Sequence, residues 1–372
     1  MSKLDELIQQ YCPNGVEWKT LGEVCDIHKG VQFNKTDMKE VGTYPVINGG
    51  INPSGYAEVF NEGKNTITIS QGGASAGYVN FLRNKFWLGA HCYAVIPYDI
   101  VLNKYLYHFI KMNEITLQQC QYGAGIPALA KSTISSLEIP VPPLPVQEEI
   151  VRILDNFTEL QAELQAELQK RKQQYNYYLN NLLNFKNINR GGRAEVRWMK
   201  MNEVAQVCRG TRVVKSQLSN KGYPVYQNCL TPMGYYDKSN CKGGTPFVIC
   251  GGAAGNVGYS IVDYWAADDC EYIVSGSEVC NKYLYYYLMT KQDYLSSQVR
   301  KASVPRLSPI VIKDLVIPIP SLDEQQRIVS ILDRFDTLTA DLTQGLPAEI
   351  EKRRQQYEHY RDKLLTFKRK EA

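Results

Sequence analysis

The sequence contains no apolar run that approaches the roughly 20 residues needed to cross a bilayer. Residues 1–10 (MSKLDELIQQ) carry charges of both signs and lack the apolar segment of a secretory signal. We therefore expect a cytoplasmic protein without a membrane partner. Ten cysteines are scattered without a C-x-x-C pair, so we interpret them as reduced, buried small residues rather than as a disulfide framework.

The motifs of common nucleic-acid enzymes are also missing. There is no P-loop, no His-Glu-x-x-His helix and no clear two-metal carboxylate cluster. An amino-methyltransferase needs Asn or Asp followed by Pro-Pro and an aromatic residue, whereas Asn52-Pro53-Ser54 is typical of a turn only. The four histidines have no partner at a spacing that suits a catalytic triad. We therefore expect no catalytic site, no metal and no cofactor.

The length and the charge of the chain set further limits. At 372 residues the chain is longer than a single hydrophobic core supports, so we expect two or three domains. Hydrophobic residues make up 44% and charged residues 22%, as in a globular protein. The formal net charge of +4 is too small to indicate nucleic-acid binding by itself, so the positions of the charges must decide.

An internal repeat covers most of the chain. The pattern Trp87-x4-Cys92 recurs as Trp265-x4-Cys270, 178 residues later. The same offset carries residues 147–155 (QEEIVRILD) onto residues 325–333 (QQRIVSILD). Chance does not maintain one frame over so many unlike residues, so we infer a duplication.

The two copies differ in a patterned way. Residues near 140–185 and 318–367 are close to identical in type, whereas residues 30–135 share only scattered landmarks with their counterpart. A duplicated protein that keeps its connecting segments alike and lets its globular parts diverge indicates one common partner surface and two different ligands.

The connecting segments are predicted to be long helices. Apolar residues recur three or four positions apart from Ile150 to Leu182 and again from Ile328 to Leu364, as along one stripe of a helix. Each segment follows a Pro-rich stretch that cannot continue a helix backward. A stripe this narrow needs a partner, so we predict that the two helices face each other as an antiparallel pair. The alternative is that each stripe packs on its own globular domain.

These features predict an α/β (α+β) fold with two globular domains of mixed β-sheet and helix. Two long antiparallel helices separate the domains and form an intramolecular coiled coil, with a pseudo-twofold axis that arises from the internal duplication. The predicted divisions are residues 1–143 and 191–320 for the globular domains, and residues 144–190 and 321–368 for the connector helices.

Two details distinguish the connectors from each other. Residues 161–168 form a tandem Gln-Ala-Glu-Leu unit. Each unit adds about one helical turn, or about 6 Å, so its copy number changes the separation and the twist of whatever the helix joins. The second connector contains Gly345-Leu346-Pro347, where we predict a break or a kink.

The globular halves share a strand and turn pattern. Residues 65–70 (NTITIS) and 247–250 (FVIC) are typical of strands, and a Gly-rich turn follows each. We interpret the turns as structural because neither has the G-x-x-x-x-G-K-[ST] pattern; phosphate binding is the alternative. The Tyr-rich segments 104–113 and 282–290 predict a helix packed on the sheet, and core packing is preferred over base stacking.

Basic residues are unevenly distributed between the halves. Residues 16–145 hold ten Lys or Arg against ten Asp or Glu, whereas residues 196–320 hold fourteen against nine. Arg is the usual reader of guanine edges and either basic residue can bind phosphate, although solvated surface charge is the alternative at each position. The candidate DNA-contacting residues are Lys35, Asn48, Gln71, Ser75 and Lys131 in the first half and Arg209, Arg212, Lys215, Arg300, Lys301 and Arg306 in the second.

The chain resembles the specificity subunits of type I restriction and modification systems. The resemblance rests on the duplicated order of a variable domain, a Pro-rich edge, Q-x-x-I-V-x-I-L-D and K-R-[KR]-Q-Q-Y, and it extends from Val16 to Phe367. Segments 147–157 and 325–335 are specific to that family, whereas the globular halves are not. The unequal connectors depart from strict twofold equivalence.

The resemblance implies a non-catalytic protein that recognises a split target in double-stranded DNA, one part with each globular half. The similar helices would set the gap and dock two adenine methyltransferase subunits, and restriction and translocase subunits would join the assembly. The candidate docking residues are Gln147, Ile150, Lys170, Tyr175, Gln325, Ile328, Arg353 and Tyr357. A coiled-coil interaction scaffold without DNA binding is the alternative, and the missing motifs disfavour an enzyme with an unrecognised site.

Overall fold

The computed structural model describes residues 2–123, 125–185, 196–301, 303–340 and 344–370. The chain divides into two compact units: unit 1 comprises residues 1–165 and 350–372, and unit 2 comprises residues 166–349. No helix in the described ranges combines the length and the apolar character needed to cross a membrane.

Unit 1 is built on three β-sheets. Its strands are β1 (Glu17–Thr20), β2 (Cys25–Lys29), β3 (Tyr44–Ile47), β4 (Gly55–Ala57), β5 (Thr66–Ser70), β6 (Val79–Leu82), β7 (Trp87–Leu88), β8 (Cys92–Pro97) and β9 (Glu138–Val141). The main sheet is antiparallel with the order β2-β8-β5-β6. A second sheet has the order β4-β3-β7, and β1 pairs with β9.

A Tyr-rich helix covers the main sheet of unit 1. The helices are α1 (Lys3–Tyr11), α2 (Leu21–Val24), α3 (Asn103–Met112), α4 (Glu114–Gln119) and α5 (Lys131–Ser135), with a turn of 3-10 helix at Lys35–Asp37. Helix α3 packs against β5, β6 and β8. Its Tyr105 is buried and donates a hydrogen bond to the carbonyl of Pro140 at 2.9 Å. The prediction that this segment is a helix of the core is therefore confirmed.

The first connector is a single helix of 39 residues, α6 (Leu144–Leu182). Its residues Ile150 and Leu154 belong to the hydrophobic core of unit 1, and Leu179 belongs to that of unit 2. The stripe thus packs partly on the globular cores, as the alternative interpretation of the sequence proposed.

Unit 2 repeats the sheets of unit 1 strand for strand. Its strands are β10 (Arg197–Lys200), β11 (Ala205–Arg209), β12 (Tyr223–Tyr226), β13 (Tyr235–Tyr236), β14 (Pro246–Ile249), β15 (Val257–Tyr259), β16 (Trp265–Ala266), β17 (Cys270–Ser275) and β18 (Val316–Ile319). The sheet orders are β11-β17-β14-β15, β13-β12-β16 and β10-β18, the orders of unit 1 with each strand number raised by nine. The structure therefore confirms the duplication inferred from the sequence.

The helices of unit 2 follow the same plan. They are α7 (Met201–Val204), α8 (Asn281–Thr290), α9 (Gln292–Ser297) and α10 (Pro309–Lys313), with a turn of 3-10 helix at Lys215–Gln217. Tyr283 of α8 is buried and donates to the carbonyl of Pro318 at 2.8 Å, as Tyr105 does in unit 1. Both Tyr-rich helices thus use their hydroxyl groups to anchor the Pro-containing strand that precedes a connector.

The second connector contains two helices, α11 (Leu322–Ala340) and α12 (Leu346–Leu364). Since α12 begins at Leu346, the predicted break at Gly345-Leu346-Pro347 is confirmed. Proline suits this position because the first turn of a helix needs no N–H donor from it.

Aromatic contacts pair α6 with each of these helices. In unit 1 the ring of Phe157 stacks on Tyr360 of α12, with centroids 5.3 Å apart. In unit 2 the ring of Tyr178 stacks on Phe335 of α11 at 5.2 Å. The earlier half of α6 thus meets the later partner helix and the later half meets the earlier one, which is the contact order of antiparallel helices. The predicted fold class is confirmed.

The cysteines are free thiols. Cys12, Cys92 and Cys270 are among those that are buried, as expected. Cys120 is exposed because it ends α4 at a surface turn, so the expectation of burial is wrong for that residue.

A buried histidine joins α3 to the connector helices of unit 1. His108 is fully buried, with its Nδ1 3.0 Å from the hydroxyl oxygen of Tyr357 and its Nε2 3.0 Å from Oδ1 of Asp155. Burial lowers the pKa of His108 below its ordinary value of 6.5, although Asp155 opposes the shift. The imidazole is therefore neutral in the folded protein at pH values where the unfolded chain already binds a proton.

We expect this difference to make the protein less stable at mildly acidic pH. The unfolded state binds more protons than the folded state below about pH 6.5, so the free energy of unfolding falls as the pH decreases from 7 to 5. The variant His108→Tyr introduces the side chain that unit 2 carries at Tyr286, which donates to Asp333. Urea unfolding across this pH range should show a weaker pH dependence in the variant, and an equal or steeper dependence would contradict the assignment.

Candidate nucleic-acid interface

A cleft of about 340 Å³ opens at one end of the main sheet of unit 2. Three of the candidate residues, Arg209, Arg300 and Arg306, line it. Arg209 is the last residue of β11. Arg300 and Arg306 exchange two backbone hydrogen bonds of 2.8 and 3.2 Å, which close the short loop between them. The fold thus gathers three guanidinium groups from distant parts of the sequence.

The loop that carries Arg300 and Arg306 is attached to the end of β14. The N–H of Leu307 donates to the carbonyl of Cys250 at 2.9 Å, and the N–H of Gly252 donates to the carbonyl of Pro305 at 3.2 Å. Gly252 has a φ of +78°, which glycine adopts without steric cost. The Gly-rich turn after β14 therefore has a structural function, in holding this loop.

The cleft contains three carboxylates, Asp268, Asp269 and Glu271, beside its three guanidinium groups. Nη1 of Arg306 lies 3.0 Å from Oδ1 of Asp269, and Nε of Arg209 donates to the carbonyl of Asp268 at 3.1 Å. Arg300 and the adjacent Lys301 are exposed, and neither forms an ion pair with another residue that the structure describes. These two cations are available to a phosphate group or a base.

Other basic candidates lie outside the cleft. Arg212 follows β11, and Lys215 begins the 3-10 helix of unit 2; both are exposed. Lys35 is exposed at the equivalent position, the start of the 3-10 helix of unit 1. The structure does not bring these residues into the cleft, and their contact with DNA remains a prediction.

Unit 1 has the same framework with different side chains. Tyr122 and Ala128 exchange two backbone hydrogen bonds of 2.9 Å, as Arg300 and Arg306 do. The N–H of Leu129 donates to the carbonyl of Gln71 at 2.7 Å, which corresponds to the bond between Leu307 and Cys250. An equivalent loop is therefore attached to the end of β5.

Strand registers fix which positions correspond. Tyr93 of β8 pairs with Lys29, the last residue of β2, and Glu271 of β17 pairs with Arg209, the last residue of β11. The further corresponding pairs are Gln71 with Cys250, His91 with Asp269, Tyr122 with Arg300 and Ala128 with Arg306. None of these positions carries the same side chain in both units.

The candidates in unit 1 lie on or beside this framework. Gln71 has a buried Oε1 without a hydrogen-bond partner among the described residues. Asn48 accepts a hydrogen bond from the N–H of His91 at 3.2 Å. Ser75 is half-buried in the Gly-rich turn, and Lys131 is exposed as the first residue of α5. Among these candidates Gln71 is the one with a buried oxygen that no described residue engages.

Several residues of the interface are not predicted by the sequence analysis. Glu271 and Asp269 in unit 2 and the exposed Tyr122 in unit 1 were not among the candidates. Pairing the two copies position by position over their whole length is the signal that finds them, since each corresponds to an unlike residue in the other copy.

Two candidate docking residues have internal functions. Gln147 is fully buried: its Oε1 accepts from the N–H of Leu102 at 2.8 Å, and its Nε2 donates to the carbonyls of Ile100 and Pro142 at 3.0 and 2.7 Å. Gln325 makes the corresponding three bonds in unit 2. Each glutamine thus joins the segment that precedes the Tyr-rich helix to the end of the Pro-containing strand and the start of a connector helix.

Most of the other candidate docking side chains are also engaged within the fold, and their contact with a partner remains a prediction. Ile150 and Ile328 are fully buried in the hydrophobic cores, Tyr357 is buried, and the ring of Tyr175 lies against Phe335. Lys170 is exposed and Arg353 is half-buried. Of the candidates on α6, Lys170 is the exposed one, whereas Ile150 belongs to the apolar stripe that faces the core.

Comparison with known proteins identifies relatives along the whole chain. A family model described as a type I restriction modification DNA specificity domain matches residues 13–173 and again residues 194–352. A putative type I restriction enzyme specificity subunit of Haemophilus influenzae is 32% identical over 385 residues, which cover 95% of this chain and 96% of that protein. A type I restriction enzyme specificity subunit of Escherichia coli is 28% identical over 100% of this chain and 98% of its own length.

A solved structure has the same fold. The crystal structure of the S subunit of a type I restriction-modification system from M. genitalium superposes with a TM-score of 0.70, at 20% sequence identity, over 94% of this chain and 96% of that chain. At this level of identity the likeness concerns the fold alone. The two matches to the family model cover the two halves in turn, as the internal repeat requires.

Proposed function

Because the chain belongs to the type I restriction modification DNA specificity family, we propose that each unit reads one part of a split DNA target. The chain is a non-catalytic specificity subunit that recognises DNA within an assembly of methyltransferase and restriction subunits. The recognition domains are proposed to be residues 1–143 and 191–320, with connectors at residues 144–190 and 321–368. A cytoplasmic location is part of this proposal. An interaction scaffold without DNA binding has no support from these relatives.

One observation carries the proposal of two unlike half-targets. The two units repeat each strand, the Gly-rich turn and the bridged loop, yet the side chains differ at the six pairs of corresponding positions compared above. Unit 2 presents Arg209, Arg300 and Arg306, whereas unit 1 presents Lys29, Tyr122 and Ala128. Base edges differ in their hydrogen-bond donors and acceptors, so unlike side chains on one framework suit unlike base sequences.

A split target also needs a constant gap between its two halves, and the helical connectors suit this need. Two reading surfaces on one side of a duplex lie about 34 Å apart when they occupy successive turns. A helix rises 1.5 Å per residue and resists bending, so α6 is proposed to fix the span. The tandem Gln-Ala-Glu-Leu unit lies at residues 161–168 within it. Insertion of another unit should therefore change the gap and leave both half-targets intact.

The proposal is tested by giving the protein two copies of one recognition framework. In the variant, residues 17–141 are replaced by residues 197–319, so that both frameworks run from the first strand to the Pro-containing strand of unit 2. Methylome sequencing of cells that express the variant with its methyltransferase subunits should show that the asymmetric split motif has become an inverted repeat of one half. The reciprocal replacement should give a repeat of the other half.

The same two replacements can also contradict the proposal that each unit reads its own half-target. A motif in which both halves change in the same variant would show that the units do not read DNA separately. The wild-type assembly, expressed in parallel, supplies the reference motif and its gap.

A further inference from the structure

The cleft of unit 2 contains a buried carboxylate that the fold does not require. We propose that Glu271 is a specificity-determining residue, which accepts a hydrogen bond from the exocyclic amino group of cytosine or adenine in the half-target of unit 2. The inference rests on the function proposed above and names the chemistry of one contact within it.

The position of Glu271 suits a direct contact with a base. Its side chain is only 4% exposed and lines the cleft beside Arg300 and Arg306. The other two carboxylates of the cleft are engaged, Asp269 with Arg306 at 3.0 Å and Asp268 with Nε2 of Gln227 at 3.2 Å. In the part of the chain that the structure describes, no side-chain hydrogen bond or ion pair engages Glu271.

Glu271 is unfavourable for the stability of unit 2. A carboxylate that is largely removed from water and has no hydrogen-bond partner loses solvation free energy. Burial accordingly raises the pKa of Glu271, and the charges of Arg209 and Lys313 offset this only in part. Perturbed, unpaired groups in a cleft are characteristic of functional positions.

Unit 1 shows that the framework does not need a carboxylate here. The corresponding residue is Tyr93, whose hydroxyl donates to the carbonyl of Leu129 at 3.3 Å. The two strands and the loop keep the same backbone bonds with tyrosine at this position. The difference between Tyr93 and Glu271 therefore belongs to what each unit reads, not to how each unit folds.

The surroundings of Glu271 define the ligand. Its oxygens only accept hydrogen bonds when ionised, and the major-groove edges of cytosine and adenine offer an amino group. Guanine and thymine present acceptors at the equivalent edge, which a carboxylate repels. Arg300 and Lys301 are placed to bind the phosphate groups that would otherwise repel Glu271.

The test compares the methylation motif of the assembled wild-type complex with that of the variant Glu271→Gln. The amide keeps the shape of the side chain and adds a donor, so the preference at one base pair should fall by about tenfold or more. The other base pairs, the gap and the other half-target should not change. The variant Glu271→Tyr, which carries the side chain of unit 1, should affect the same base pair.

Controls separate this contact from general effects. Glu278→Gln removes an exposed carboxylate of unit 2 outside the cleft and should leave the motif as it is. An unchanged motif in both Glu271 variants, or an equal loss of methylation at all sites, would overturn the inference. Absence of a split motif in the wild-type complex would instead overturn the proposed function.

Thermal unfolding of the Glu271→Gln protein shows whether a changed motif could result from loss of folding. Removal of the buried charge should leave the full-length Glu271→Gln protein at least as stable as the wild type at pH 8. A stable variant that selects the same bases would count directly against the inference, because loss of folding would then not explain the result.

Discussion

Replacing Arg300 and Lys301 by alanine should weaken the binding of the assembled complex to its DNA target by about 100-fold. Both side chains are exposed beside the cleft and form no ion pair with another described residue, so their loss breaks no internal contact. Each basic contact to phosphate or to a guanine edge contributes about a tenfold change in affinity at moderate salt. The two contacts together therefore predict about two orders of magnitude.

The salt dependence identifies the kind of contact that has been lost. Fluorescence anisotropy with a labelled duplex at several salt concentrations gives the slope of log affinity against log salt, which should become shallower by about one for each phosphate contact removed. If Arg300 instead reads guanine, the affinity for the cognate duplex should fall while that for unrelated DNA changes less.

A matched variant controls for the change in net charge. Arg197 and Lys200 are exposed residues of unit 2 that pair with Glu278 and Asp314 outside the cleft. The double replacement Arg197→Ala and Lys200→Ala removes the same two charges, and it should change affinity by less than about threefold because exposed ion pairs contribute little. Equal losses in the two double variants would mean that the cleft is not the DNA-contacting surface.

The sequence predicted the framework better than it predicted the interface. The Trp-x4-Cys pattern occurs at Trp87 and again at Trp265, which indicates that the two halves share a backbone fold. The apolar stripe along each connector indicates a helix face that must be buried. Both patterns depend only on the spacing of residues along the chain, so they can be recognised without knowledge of the fold. The break at Gly345 was visible for the same reason.

The arginine-lined cleft depends on contacts that the sequence does not display. Arg209 lies 91 residues before Arg300, and the three arginines line one cleft because backbone bonds close the Arg300–Arg306 loop and attach it to the end of β14. Glu271 was missed because its significance lies in its burial without a partner. Neither property follows from residue type or spacing.

A residue that is the same in both copies can be needed by the repeated fold or by a shared partner, and the sequence does not distinguish the two. Gln147 and Gln325 were interpreted as partner contacts because both copies contain them, but each is buried and bonded to its own unit. A duplicated protein retains the residues that its repeated fold needs as strictly as those that a shared partner needs. Burial separates these two reasons, and it becomes known only from the structure.

The replacement Gln325→Ala should destabilise unit 2 by about 3 kcal/mol. Gln325 is fully buried; its Oε1 accepts from the N–H of Cys280 at 2.8 Å, and its Nε2 donates to the carbonyls of Glu278 and Pro320 at 2.9 Å. Alanine leaves these backbone groups without partners, at about 1–3 kcal/mol for a group that water cannot reach. Urea unfolding of the full chain gives the free energy, and hydrogen exchange of α8 locates the loss.

The neighbouring Gln326 provides the control, since it is the same residue type on the same helix but exposed. Gln326→Ala should alter the free energy of unfolding by no more than about 0.5 kcal/mol. Because this comparison holds helix propensity constant, the difference between the two variants measures the buried hydrogen bonds and the volume that the side chain fills. Similar unfolding curves would show that the start of α11 is held by its apolar contacts alone, and Gln325 would then return as a candidate for partner binding.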